Sequence, residues 1–398
     1  MLLGINYLVV KMKSKHIIEL DSWRGIMALL VAIFHYTVPN NFVSAELAVD
    51  FFFILSGIVI QKSYFDKEMS STEFFIKRLY RLYPLHLFSL IILLFLFLST
   101  VFFVHYPKNG DLLTSFSWQF PADYYKDGIF FTFIQQVLFI NGLGFHPHHQ
   151  YWNGASWSVS CELWVNLIFF IWLRKLSIPL IILISIFIYS ILFVTFGRLG
   201  VHNEYIMYMN SGMLRCLAGF SLGVIIYRWL EPIKISLDNK KRKQMVIYSF
   251  LQMMSCAVFF YIMFSNQHNY NDFLALIFIL VAISISFMQF DTLLNRLLNL
   301  RVLVFLGKIS YSIYLMHYSV QYVMQSLLGM KFDFSLKGYI NLVVFISIVI
   351  LISTIVYFMV ENRSTDIMKK LVVILKLLNK SVSVYVYYSN GGTKFPFF

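Results

Sequence analysis

The chain has 398 residues, of which 59% are hydrophobic and 13% are charged. This balance excludes an ordinary water-soluble globular protein and is typical of a membrane protein. The formal net charge of +13 does not indicate nucleic-acid binding, because the basic residues lie in loops between apolar runs and not on one soluble face.

Apolar runs long enough, or nearly long enough, to cross a bilayer follow one another along the chain. A spanning helix needs about 20 residues. We therefore predict an all-α polytopic membrane protein with ten transmembrane helices, at 22–38, 48–61, 82–104, 157–173, 178–196, 210–229, 246–264, 272–290, 305–326 and 339–360. A further apolar stretch at 128–143, interrupted by Gln135 and Gln136, is expected to form a re-entrant or interfacial helix.

The basic residues predict the orientation of these spans. If the N-terminus is inside, the predicted cytoplasmic segments carry most of the 32 Lys and Arg residues. Because basic loops resist translocation, both termini are expected in the cytoplasm. The predicted organisation is a cytoplasmic N-terminal segment at 1–19, a membrane domain at 20–362 and a cytoplasmic C-terminal tail at 363–398.

Neither the cysteines nor the histidine cluster predicts a metal site. Cys161, Cys216 and Cys256 are odd in number and irregularly spaced, which indicates neither disulfides nor metal ligands. The cluster at 146–149 contains three histidines but lacks a zinc-ligand spacing. We therefore expect no bound metal.

His35 and Arg24 are ionisable residues placed on one face of the first span. Such a residue costs about 2.5–3.5 kcal/mol in a bilayer, so it needs a partner or a function. His35 lies 11 positions after Arg24, which is about three turns, or about 16 Å, of one helix. Arg24 is then expected at the cytoplasmic mouth and His35 in the outer part of the membrane. A hydrogen-bonded packing role for His35 is the open alternative.

Two carboxylates are expected at the depth of His35. Asp50 opens the second span from the outer side, and Glu162 lies about one and a half turns into the fourth. An acid beside an imidazole holds its tautomer and raises its basicity, which suits a general base acting on a hydroxyl. The alternative is that either acid pairs with Arg215 in a structural bridge.

Two arginines precede the third span on the predicted inner side. Arg78 and Arg81 are three residues apart, so they face the same way on a helix and could bind a polyanion. The alternative is that both are ordinary basic residues that anchor the cytoplasmic end of a span.

Five segments of the chain form a set of motifs in a fixed order. They are Arg24-x10-His35, Phe52-Phe53-x-Leu55-Ser56-Gly57, Arg78-x-x-Arg81-x-x-Pro84, Trp157-Ser158-Val159-Ser160-Cys161-Glu162, and Ile309-Ser310-Tyr311-Ser312-Ile313-Tyr314-Leu315-Met316-His317. Together they resemble the motifs of the acyltransferase-3 family. The chain departs from the family pattern where Leu163 replaces a second acid and where Glu361-Asn362-Arg363 replaces Glu-x-Pro.

The resemblance implies a ten-helix bacterial inner-membrane enzyme that moves an acyl group from acyl-CoA, often acetyl-CoA, to a cell-surface or lipid-linked glycan. The residues expected to be catalytic are His35, Glu162 and Asp50, those expected to bind the donor are Arg24, Arg78 and Arg81, and those expected to support the site or bind substrate are Ser56, Trp157, Ser158, Tyr311 and His317. Direct attack of a sugar hydroxyl on the thioester and a transient acyl-imidazole both remain open. The rival function is a transporter or flippase for lipid-linked glycans.

Overall fold

The computed structural model describes residues 17–37, 46–103, 129–145, 152–202, 204–236, 246–265 and 269–364. The histidine cluster at 146–149 and nearly all of the predicted C-terminal tail lie outside the described residues. Within them the chain is almost entirely helical. The predicted all-α membrane fold is confirmed at that level.

Thirteen α-helices can be numbered in the described part of the chain. They are α1 (Ile18–Thr37), α2 (Leu47–Tyr64), α3 (Ser71–Phe103), α4 (Ile129–Val137), α5 (Ser156–Ile171), α6 (Ile178–Phe196), α7 (Ser211–Ser236), α8 (Val246–Met263), α9 (Asn271–Met288), α10 (Leu293–Leu298), α11 (Arg301–Lys308), α12 (Ser310–Tyr322) and α13 (Leu336–Val356). A two-stranded antiparallel hairpin, β1 (Tyr205–Ile206) and β2 (Met209–Asn210), precedes α7. One turn of 3-10 helix follows α5 at Leu173–Lys175, and π-helical turns extend α12 and α13 at Val323–Leu327 and Tyr357–Glu361.

Seven helices of the described chain are long and apolar enough to cross a membrane, namely α2, α3, α6, α7, α8, α9 and α13. They coincide with seven of the ten predicted spans. The other three predicted spans fall on helices that are charged, short or divided in two. α1 carries Glu19, Asp21 and Arg24 in its first two turns, and α5 has only 16 residues. The segment at 305–326 is divided between α11 and α12 at Ile309.

The polar helix α1 is accommodated because other helices surround it. It packs against α2, α9, α10, α11, α12 and α13. Gly25 lies against the backbone of Gly307 on α11, and a Cβ on either glycine would overlap the neighbouring helix. Small residues of this kind let two helix backbones approach closely in a membrane protein. α1 can therefore hold ionisable side chains inside the bundle and away from lipid.

A second close crossing joins α2 to α7. A Cβ on Gly57 would overlap the Phe220 carbonyl, and a Cβ on Gly223 would overlap the Ile54 carbonyl. The same two helices are linked by a buried ion pair between Asp50 and Arg215. This crossing fixes the rotation of α2, and with it the direction in which each α2 side chain points.

Candidate functional site

Among the cavities in the described part of the chain, one lies on the side of Arg24 and another on the side of His35. The arginine cavity is lined by Arg24, Phe52, Phe53, Leu55, Ser56, Val59, Ile60, Arg78, Arg81, Leu82, Ser158, Val159, Glu162, Ser310, Tyr311, Tyr314 and Glu361. The histidine cavity is lined by Val31, Phe34, His35, Tyr36, Glu46, Val49, Gly154, Ala155, Trp157, His202, Tyr314, Tyr318, Gln321, Gln325, Lys331 and Phe332.

The arginine cavity brings together the three arginines singled out from the sequence. Arg24 comes from α1, and Arg78 and Arg81 come from successive turns of α3. Arg24 lies 3.8 Å from Asp21 on its own helix, and Arg78 lies 3.5 Å from Glu162. Three guanidinium groups facing one space suit an anionic ligand, because each can donate two parallel hydrogen bonds to a phosphate.

Two carboxylates limit the positive charge of this cavity. Glu162 accepts a hydrogen bond from the Ser56 hydroxyl at 2.7 Å, and it is the partner of Arg78. Glu361 accepts a hydrogen bond from Ser312 at 2.7 Å. The cavity lining therefore carries three cationic and two anionic side chains.

His35 lines the histidine cavity and is held by its own helix. Its Nδ1 lies 2.9 Å from the Val31 carbonyl oxygen and 3.2 Å from His317 Nε2. A carbonyl oxygen can only accept, so the Val31 contact assigns the hydrogen to Nδ1. Nε2 of His35 then carries a lone pair, which is the form that a general base requires.

His317 repeats this arrangement one helix away. Its Nδ1 lies 3.2 Å from the Ile313 carbonyl oxygen, so this nitrogen carries the hydrogen and Nε2 accepts. The Nδ1–H of His35 is thereby shared between Val31 and His317. Tyr318 packs edge-on against both rings, with ring centroids 5.0 and 5.1 Å away. The orientation of the His35 ring is therefore fixed from two sides.

Tyr314 separates the two cavities, because it lines both of them. Its hydroxyl lies 2.6 Å from the Ser158 hydroxyl, and both side chains are buried. The Phe52 ring packs edge-on against Tyr314 with centroids 5.5 Å apart. Tyr314 is therefore in contact with both cavities.

Asp50 is paired with Arg215 and does not line the histidine cavity. Its carboxylate oxygens accept from Arg215 Nη2 at 2.6 Å and Nε at 3.3 Å, and both residues are buried. Arg215 also donates to the Val201 carbonyl at 2.9 Å. The alternative interpretation, a structural bridge to Arg215, is the one observed. The α2–α7 crossing turns Asp50 away from α1.

Glu162 lines the arginine cavity and not the histidine cavity. It lies six residues beyond the first residue of α5, which places it about 9 Å along that helix. At this depth it faces α2 and α3 and contacts Ser56 and Arg78. The structure therefore places Glu162 in the arginine cavity, and its expected catalytic role stays a prediction.

The remaining predicted residues divide between the two cavities. Tyr311 lines the arginine cavity and donates to the Leu82 carbonyl at 2.8 Å. Trp157 lines the histidine cavity, where its ring stacks on His202 at a centroid distance of 5.0 Å. Ser56 and Ser158 line the arginine cavity, and His317 contacts His35.

Several cavity residues were not anticipated from the sequence. Tyr318 and Gln321 lie four and seven residues after Tyr314, so they share one face of α12, and this spacing could have identified them. Glu46 and His202 lie in connections between helices, where no periodic pattern marks them.

The chain is similar to known proteins of one family. Residues 17–360 match the family described as an acyltransferase domain. A curated protein of Staphylococcus aureus (strain COL), provisionally named an O-acetyltransferase, is 26% identical over 328 residues. That match covers 77% of this chain and 51% of the relative, so the chain spans about half the length of that protein. No solved structure matches the chain.

Proposed function

Because this chain belongs to the acyltransferase-3 family, whose domain covers residues 17–360, we propose that it is a membrane O-acyltransferase with acyl-CoA as donor. The proposed acyl group is acetyl, and the proposed acceptor is a hydroxyl of a cell-surface or lipid-linked glycan. The provisional name of the Staphylococcus aureus relative supports the choice of acetyl.

One observation carries this proposal. Arg24 and His35 lie on one uninterrupted helix, and they line two different cavities that share Tyr314 as a wall. His35 lies 11 positions after Arg24, which corresponds to about 16 Å along the helix axis. The extended pantetheine arm of coenzyme A has a comparable length, so a nucleotide at Arg24 can present its thioester near His35.

The arginine cavity is proposed to hold the phosphates of the donor. Coenzyme A is polyanionic and cannot enter lipid, whereas the positive charge of Arg24, Arg78 and Arg81 offsets the loss of solvation of its phosphates. We place this cavity on the cytoplasmic side, in a ten-helix inner-membrane protein with both termini in the cytoplasm. The histidine cavity then opens toward the outer side, where the acceptor is found.

His35 is proposed to act as the general base. Its Nε2 takes the proton of the acceptor hydroxyl while the hydroxyl oxygen forms the new ester bond at the thioester carbon. The carbon–sulfur bond breaks, and the proton passes from His35 to the departing sulfur, which leaves as free coenzyme A. His317 keeps the ring oriented, and it holds no proton on the nitrogen that faces His35. Direct transfer needs no acyl-imidazole intermediate.

Two measurements test this function. The purified protein in nanodiscs is titrated with acetyl-CoA by calorimetry, and the surface polysaccharide and lipid-linked sugars of cells with and without the gene are compared by mass spectrometry. We expect saturable donor binding and a mass difference of one acetyl group. Absence of donor binding together with unchanged glycan masses would contradict the enzyme assignment and favour the rival glycan transporter.

A further inference from the structure

A second polar cluster faces the histidine cavity and takes no part in the chemistry above. It consists of Glu46, which directly precedes α2, His202, which lies before the β-hairpin, and Gln321 on α12. These side chains come from three separate parts of the chain and meet around one space. The cavity is lined by aromatic as well as polar residues, including Trp157 and Tyr318.

Gln321 has a buried polar atom that the fold does not use. The residue is only 4% exposed, and its amide nitrogen donates to the His35 carbonyl at 2.7 Å and to Gln325 Oε1 at 3.1 Å. Its carbonyl oxygen accepts no hydrogen bond within the described part of the chain. A buried polar atom in this state is rare in proteins, and here the side chain lines a cavity.

His202 is held rigidly, with one ring nitrogen left for a ligand. Its backbone N–H donates to Glu204 at 3.0 Å, and its carbonyl accepts from Asn210 at 3.0 Å. The Trp157 ring stacks on its imidazole with an interplanar angle of 14°. Nδ1 makes no hydrogen bond to any described residue, and it lies 3.6 Å from Glu46 Oε2. That separation is too long for a hydrogen bond, and a hydroxyl can bridge it.

We propose that Glu46, His202 and Gln321 form a binding subsite for one uncharged, hydroxyl-rich sugar ring of the acceptor. This inference rests on the proposed function and specifies which acceptors it can use. A carboxylate and an amide carbonyl accept hydrogen bonds, and an imidazole donates or accepts, so together they match hydroxyl groups.

The carboxylate of Glu46 disfavours an acidic ring. A sugar carboxylate or phosphate placed against Glu46 would bring two negative charges together. Lys331, which also lines the cavity, is exposed to solvent, so screening weakens its charge at the subsite. Neutral rings are therefore selected over anionic ones.

The subsite is coupled to the base through one side chain. Gln321 binds the backbone carbonyl of His35 with its amide nitrogen, which leaves its carbonyl oxygen for the proposed sugar. A ring held at Gln321 and His202 thus has a fixed position relative to the His35 imidazole. Gln321, Glu46 and His202 are positioning residues for the acceptor.

Saturation-transfer-difference NMR tests the subsite without any need for turnover. The purified full-length protein in nanodiscs is mixed with neutral methyl β-glycosides of glucose, galactose, mannose and N-acetylglucosamine, and separately with methyl β-glucuronide and methyl β-galacturonide. We expect saturation transfer to at least one neutral glycoside and none to the two acids. In Gln321→Ala and Glu46→Gln, the affinity for that glycoside is expected to fall about tenfold.

The control is Glu73→Gln, the same chemical change at an exposed carboxylate outside the cavity. It is expected to leave the glycoside signal unchanged. Equal signals in wild type and both subsite variants, transfer to the acidic glycosides, or transfer to none of the sugars would overturn the inference. Failure of acetyl-CoA binding with retained glycoside binding would instead overturn the proposed function alone.

Discussion

The hydrogen bond between His35 and its own helix decides what this residue can do. A histidine that uses both ring nitrogens for packing is only a structural residue, which was the open alternative for a histidine inside a span. Here Nδ1 is engaged by Val31 and His317, and the ring lines a cavity. The second nitrogen is thus left for chemistry, and the contact with His317 replaces the carboxylate that the sequence led us to expect.

Replacing Asp50 with Asn shows whether this acid serves catalysis or only stabilises the fold. Asn in place of Asp50 leaves Arg215 buried without a counter-ion, so the free energy of unfolding is expected to fall by about 3–5 kcal/mol. The measurement is equilibrium unfolding of the purified variant in mixed micelles. The activity per folded molecule should stay near that of wild type.

The control for this change is Asp291→Asn, which removes an exposed ion pair with Arg296 of similar bidentate geometry. An exposed pair contributes about 0–1 kcal/mol, so a small change is expected there. A stable Asp50→Asn protein with lost activity would show that the acid serves the chemistry after all.

The residue-scale predictions succeeded where both residues lie on one helix. Arg24 and His35 were placed on one face by their spacing alone, and Arg78 and Arg81 likewise face one cavity. Asp50 and Glu162 lie on other helices, whose rotation about their own axes cannot be read from hydropathy. Their partners, Arg215 and Arg78, became visible only with the helix crossings.

At the scale of elements, close helix crossings position the cavity walls. Gly57 and Gly223 bring α2 and α7 into backbone contact, and Gly25 and Gly307 do the same for α1 and α11. Each crossing leaves no space for a Cβ. The rotation of α2 that buries Asp50 also directs Ser56 toward the arginine cavity.

Gly223→Ala is expected to destabilise the protein by about 1–3 kcal/mol, because the new methyl group meets backbone atoms of Ile54 and Ile58 that cannot move independently. Gly219→Ala is the matched control on the same helix. Its Cβ would first meet the Phe53 side chain at 3.0 Å, which can shift slightly. Thermal unfolding of the two variants is compared, and equal stabilities would contradict the assigned role of the crossing.

The apolar runs predicted most of the helices. Where a predicted helix end or a predicted continuous span differs from the structure, the difference has a physical cause. The second predicted span, 48–61, extends to Tyr64, because the helix continues beyond the apolar run into polar residues. The predicted span 305–326 is interrupted at Ile309, between the α11 segment that packs on Gly25 and the α12 segment that carries His317. Hydropathy averages over such a break, so the sequence could not reveal it.

At the scale of the whole molecule, the account requires the two cavities to open on opposite sides of the membrane. The positive-inside bias predicts which side is which. The cavities themselves could not be predicted, because each is assembled from several helices that are distant in the sequence.

Cysteine labelling tests this orientation. Tyr208, in the β-hairpin, is 97% exposed, and Glu68, between α2 and α3, is also exposed. The native Cys161, Cys216 and Cys256 are buried and give little background. We expect an impermeant maleimide added to spheroplasts to label Tyr208→Cys at once and Glu68→Cys only after lysis. Labelling of both from the same side would contradict the orientation.

The central claim is that α1 binds the donor at one end and performs the chemistry at the other. Its most direct test compares His35→Ala and Arg24→Ala with wild type, for acetyl-CoA binding by calorimetry and for transfer of radiolabelled acetyl groups to glycan in native membranes. Lys77→Ala, which removes a half-buried cation paired with Glu73 outside the cavity lining, is the control and should match wild type.

The account predicts that His35→Ala binds acetyl-CoA with wild-type affinity while transfer falls at least about 100-fold. It predicts that Arg24→Ala weakens donor binding about tenfold or more. Full transfer activity in His35→Ala, or unchanged donor affinity in Arg24→Ala, would contradict it.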